Sequence, residues 1–131
     1  DLQHWITAQT TDTGWPVRNG LNVKLAANAA VVSPHVVWNA ADAAELVFSA
    51  RYTAQARQGK VMLRRFGQSN FDETVSYNFD IIADGRDHQY RIPLRQLPAY
   101  SGSFSAIRII LTTDAPPTPG SAILKNIALR K

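Results

Sequence analysis

At 131 residues, 45% of them hydrophobic and 18% charged, the chain has the size and composition of one globular domain spanning 1–131, not of a disordered segment. It contains no cysteine, which excludes disulfides, thiolate metal sites and a thiol nucleophile. Fourteen Lys and Arg against ten Asp and Glu give a net charge of +4. That bias admits anionic partners but falls short of a nucleic-acid binder, and no apolar run reaches the roughly 18 residues a membrane-inserting helix needs.

In chain order, residues 1–10 hold Leu2, Trp5 and Ile6 in a short β-prone run, predicted as an edge strand. Residues 11–20 carry Gly14, Pro16 and Gly20 and read as loop. Leu21, Val23 and Leu25 alternate with Asn22 and Lys24, which predicts a strand over 20–25. The piece VVSPHVVW over 31–38 is broken by Pro34, which has no N–H for a ladder, so it reads as an edge strand or as two short ones. A single helical turn is predicted over 39–44, a strand over 45–52 with Leu46, Phe48, Ala50 and Tyr52 on one face, and another strand over 60–66.

The clearest alternation runs over VSYNFDIIADGRDHQYRIPL, residues 75–94. Val75, Tyr77, Phe79 and Ile81 share one side, and His88, Tyr90, Ile92 and Leu94 share another. Gly85 between them can take the positive φ of a reversal, so the two strands are predicted to pair as a hairpin. Residues 93–103, with two prolines and a glycine, form an irregular crossing. Strands follow over 105–113, with Ile107, Ile109 and Leu111 inward, and over 122–130. The proline-rich DAPPTPGS between these two is a rigid turn. Eight to ten short strands with almost no helix predict an all-β fold, a two-sheet antiparallel β-sandwich or jelly roll.

The order of these features resembles the jelly-roll β-sandwich of non-catalytic carbohydrate-binding modules and their relatives, over about 32–131. The resemblance rests on the SPxxxW piece, the DG turn followed by His88-Tyr90-Ile92-Leu94, and the Tyr100-Ser101-Gly102 crossing. It also rests on Ile107-Arg108-Ile109-Leu111 and the closing Ile-Leu strand. It implies a module of a larger bacterial periplasmic or extracellular protein; the start at Asp1 reads as a processed protein or as a domain cut from something larger. The implied partner is a polysaccharide or oligosaccharide, with anionic ones included because of the charge. The alternative is a structural or protein-interaction sandwich without a glycan ligand, which positions a neighbouring domain.

Two sets of residues are candidates for the ligand. Trp15 sits in a Gly/Pro loop, Trp38 precedes a polar turn and Tyr100 lies in the crossing. In such places an exposed ring can stack on the C–H face of a sugar; the plainer reading of each is a lid over one end of the core. Arg51, Arg91 and Arg108, with Asn78, Asp80 and Gln89, fall on the polar phase of their strands. In one sheet they would make a polar face suited to hydroxyl or carboxylate groups; the plainer reading is a solvated face of weak ion pairs. Arg64 and Arg65 point to opposite faces, which puts at least one at a sheet margin.

No cofactor is expected. The loop acids Asp12, Asp72, Glu73 and Asp114 could hold a structural calcium, but their spacing is not that of a calcium loop. His4, His35 and His88 have no zinc-like spacing, and His88 reads as a hydrogen-bonded core residue. No hydrolase, nucleotide-binding or metalloprotease motif is present, and no opposed carboxylate pair emerges from Glu45 and Asp80, so no enzyme activity is expected.

Overall fold

A computed structural model describes residues 6–8, 21–33 and 37–130. Within them lie ten strands: β1 (Ile6–Ala8), β2 (Leu21–Lys24), β3 (Ala30–Val32), β4 (Trp38–Asn39), β5 (Glu45–Tyr52), β6 (Gln58–Arg65), β7 (Asp72–Asp80), β8 (His88–Ile92), β9 (Ser103–Ile110) and β10 (Ser121–Arg130). Two 3-10 turns, Ala40–Asp42 and Leu94–Gln96, are the only helical pieces among the described residues. None is long and apolar enough to cross a membrane.

The strands form two antiparallel sheets. A six-stranded sheet runs β1-β3-β9-β6-β7, with β4 also paired to β9, and a four-stranded sheet runs β2-β10-β5-β8. This is the two-sheet jelly roll expected from strand spacing. The proline-broken piece became two short strands, both laid on β9: Val31 pairs with Ile109 and Trp38 with Phe104. The helical turn starts after Asn39 because its side-chain oxygen accepts the N–H of Ala41 at 2.9 Å.

The predicted hairpin is corrected. β7 pairs with β6 and β8 with β5, so the two strands belong to different sheets. Alternation shows which side of a strand is buried, and here both apolar sides bury in the same core, from opposite layers. The connection over 81–87 is an arch that steps across about 10 Å of sheet separation. Gly85 supplies the positive φ, 77°, and its N–H reaches the Tyr52 carbonyl at 3.2 Å. His88 is half-buried at this arch, not in the core, with Nε2 at 2.9 Å from both Asp84 carboxylate oxygens.

The core lies between the sheets. Leu46, Phe48, Ala50 and Tyr52 of β5 meet Val61 and Leu63 of β6, Val75 and Phe79 of β7, and Ile107 and Ile109 of β9. Phe48 and Tyr90 stack at 5.3 Å within one sheet, and Phe79 from the other sheet packs on both, at 5.5 and 5.4 Å. Gly59 makes room for that ring: a Cβ there would lie 2.2 Å from Phe79 and 2.6 Å from the Ile110 carbonyl oxygen. The buried Tyr52 hydroxyl donates to the Leu111 carbonyl at 2.7 Å, and burial pushes its phenol well above the usual range.

Candidate functional site

The aromatic candidates divide. Trp15 lies outside the described residues. Trp38 and Tyr100 close one end of the sandwich as a lid. Both rings stack on the fully buried Phe104, at 5.8 and 5.1 Å. The Trp38 indole N–H donates to the Tyr100 hydroxyl at 3.0 Å, and that hydroxyl donates to the Ala43 carbonyl at 2.7 Å. Partial burial raises the Tyr100 pKa. Arg65 completes the lid: its guanidinium carbon is 5.1 Å from the Phe104 ring centroid, and it donates to the carbonyls of Ala99 and Ser101. The polar atoms of both rings are thus spent inside the protein.

The polar candidates also divide, because their strands do not adjoin in one sheet. Arg51 on β5 and Arg91 and Gln89 on β8 belong to the four-stranded sheet; Arg108 on β9 and Asn78 and Asp80 on β7 belong to the six-stranded one. The sandwich places the two groups on opposite outer faces. Arg91 bonds Glu45 at 3.0 Å, and Asp80 accepts from the Gln58 amide at 3.1 Å. Glu45 on β5 and Asp80 on β7 lie on different sheets.

The outer face of the six-stranded sheet gathers more than the sequence indicated. Val61, Leu63, Ile107 and Ile109 face the core, so their neighbours along the strands face outward. Register aligns Val32, Arg108, Met62 and Ser76 in one row across β3, β9, β6 and β7. It aligns Ala30, Ile110, Lys60 and Asn78 in the next. Ala30, Met62 and Ile110 form a small apolar cluster with Phe71 packed against it. Over the Phe71 ring stand two guanidinium groups, Arg108 at 4.4 Å and Arg64 at 5.7 Å from the centroid. Arg64 Nε donates to Ser105 Oγ at 3.3 Å. Arg108 Nε is buried with no hydrogen-bond partner, and among the described residues its guanidinium makes no ion pair. Beside the start of β9, Val37 and Phe66 are 52% and 58% exposed.

Phe71 stands in GQSNFDE, residues 67–73, which reads as a loop in the sequence. The available signal was a lone aromatic in a polar loop, directly ahead of the most clearly alternating strand. Met62 and Ile110 gave none, since an apolar residue on a strand reads as core.

The loop acids do not converge. Asp72 pairs with Arg65 at 3.3 Å, Glu73 pairs with Lys60 at 2.6 Å, Asp114 lies beyond β9, and Asp12 is outside the described residues. Bonds from the Thr74 hydroxyl and N–H, with Arg65 beside them, hold the Asp72 carboxyl below the usual range. No three His, Asp or Glu among the described residues come together as a metal site.

No family model matches the chain and no curated protein matches it in sequence. Solved structures do match. One is a low-affinity xylan-binding module of family 86 from Roseburia intestinalis, at TM-score 0.61 and 11% identity, covering 98% of this chain and 92% of that one. A family 11 carbohydrate-binding module from Clostridium thermocellum, in complex with a β-1,3-1,4-mixed-linked tetrasaccharide, matches at TM-score 0.60 and 16% identity, covering 99% and 90%. A family 28 module specific for non-crystalline cellulose matches at TM-score 0.65 and 11% identity, covering 98% and 88%. The chain therefore has the two-sheet jelly-roll fold of carbohydrate-binding modules.

Proposed function

We propose that this chain is a non-catalytic carbohydrate-binding module, and that it binds a polysaccharide across the outer face of its six-stranded sheet. One observation carries the reading: a half-buried guanidinium, Arg108, is held against the Phe71 ring by stacking, without an acceptor among the described residues. A buried donor left unpaired is costly, and a ligand oxygen beside it would relieve that cost. The surroundings match a sugar's two characters. Phe71, Met62 and Ile110 offer apolar surface for C–H groups, while Lys60, Ser76, Asn78 and, at the strand end, Asp80 offer polar groups for hydroxyls. The fold neighbours bind xylan, a mixed-linked glucan and cellulose, which supports the same ligand class. The reading extends to a bacterial periplasmic or extracellular setting, beside another domain of a larger protein, with Trp15 as a further stacking ring.

Affinity electrophoresis in gels containing xylan, mixed-linked β-glucan or amorphous cellulose tests this. Retardation is expected in at least one gel, and Phe71→Ala and Arg108→Ala should each weaken it by about tenfold while circular dichroism stays native. A folded protein that no polysaccharide retards, or retardation that neither variant changes, would remove the proposal.

A further inference from the structure

We propose that the outer face of the four-stranded sheet is a second binding surface, for a carboxylated polysaccharide chain. Its basis is independent of the face opposite. Leu46, Phe48, Ala50 and Leu124 point into the core, so the alternate positions point out. Register then lays this outer face out in successive rows. Lys24 pairs with Ser121 in the first row, and Arg51 pairs with Ile123 in the second. Lys125 pairs with Ser49 in the third, Arg91 pairs with Val47 in the fourth, and Arg130 pairs with Glu45 in the fifth. Each row thus carries one cation.

Rows two residues apart on a strand are separated by about 6.8 Å. Successive cations sit on different strands, at least about 4.8 Å apart sideways, so the face presents a track of positive charges spaced more widely than one row step. Among the described residues Glu45 bonds Arg91 at 3.0 Å and Asp87 bonds Lys125 at 3.1 Å, which reduces its charge. Arg51 and Arg130 make no ion pair among the described residues, so the face stays positive. Its centre is low, built of Val47, Ser49 and Ala128, with the long cationic side chains standing around it. No aromatic side chain among the described residues points outward here, so recognition would be by charge and not by ring stacking.

The charge spacing selects the partner. Duplex DNA carries a charge every 1.7 Å or so and a single strand one every 3.4 Å or so, far denser than this track. A polymer with one carboxylate per sugar is sparser and matches it better. Arginine forks suit a planar carboxylate, and a chain that touches several of them gains from multivalency.

The test uses affinity electrophoresis of the full chain with polygalacturonate. Retardation is expected at low salt and should fade above about 0.5 M salt, where screening is short-ranged. Lys24→Ser/Arg51→Ser/Arg130→Ser should weaken it at least about tenfold, since it removes three cations from the track. Asp87→Asn, which frees Lys125 from its acid, should strengthen it. Phe71→Ala should leave it unchanged, which separates this surface from the opposite one. Polygalacturonate binding that survives the triple variant, or that Phe71→Ala abolishes, would overturn the proposal. Tighter retention by polyphosphate or single-stranded DNA than by polygalacturonate would overturn the choice of partner.

Discussion

Tyr100 shows how one hydroxyl decides what an aromatic loop residue does. It accepts the indole N–H of Trp38, 62 residues away, and donates to the Ala43 carbonyl. Tyr100→Phe leaves both groups without their partner in a half-buried place, so it should cost about 1–3 kcal/mol in urea unfolding. Polysaccharide affinity should not change, and a variant of native stability would disprove the lid. In the sequence, Trp38 and Tyr100 read as a lid or, as the sharper alternative, as a platform. The choice turns on whether a polar edge finds an internal partner, and spacing along the chain does not carry that. Arg108 is the opposite case: its strand phase was readable, but its stacking on Phe71 depends on a ring in a different loop.

The arch between β7 and β8 links local chemistry to the joining of the sheets. Asp84 takes a bond from His88 and one from the Arg86 N–H, and these hold its carboxyl below the usual range. A carboxyl whose pKa is lower in the folded than in the unfolded chain adds stability above its unfolded value, and loses it as pH falls through the folded one. Asp84→Asn should therefore melt below the parent at neutral pH, with the gap closing in acid as Asp84 takes up its proton. A gap independent of pH would show that the carboxylate charge is not what holds the arch. The strands on either side were legible almost residue by residue, because period-two alternation is a local property. Their pairing was not: a glycine reversal looks the same whether it returns a strand to its neighbour or hands it to the facing sheet. The five residue pairs in register from Leu46↔Ile92 to Ala50↔His88 tie β8 to β5, and they join residues about forty positions apart.

Across the whole sandwich, Phe79 is the side chain of one sheet that meets the Phe48–Tyr90 stack of the other. Phe79→Ala would empty the space that Gly59 leaves for the ring, and should cost about 3–5 kcal/mol in a single cooperative unfolding transition. An unchanged melting curve would contradict the packing of the two layers through this residue. The outward phase of each polar residue was legible, but whether their strands adjoin in one sheet was not, and the fold divides them between two faces. The chain changes sheet at nearly every connection, staying in one sheet only from β3 to β4 and from β6 to β7. The last strand carries the consequence. β10 lies between β2 and β5, so the four-stranded sheet has no continuous ladder until residues 121–130 arrive. On the ribosome, β2 waits for a partner made about a hundred residues later, and the nascent chain has no stable half to settle into. Such a domain stays threadable until residues 121–130 are made, and then closes all at once.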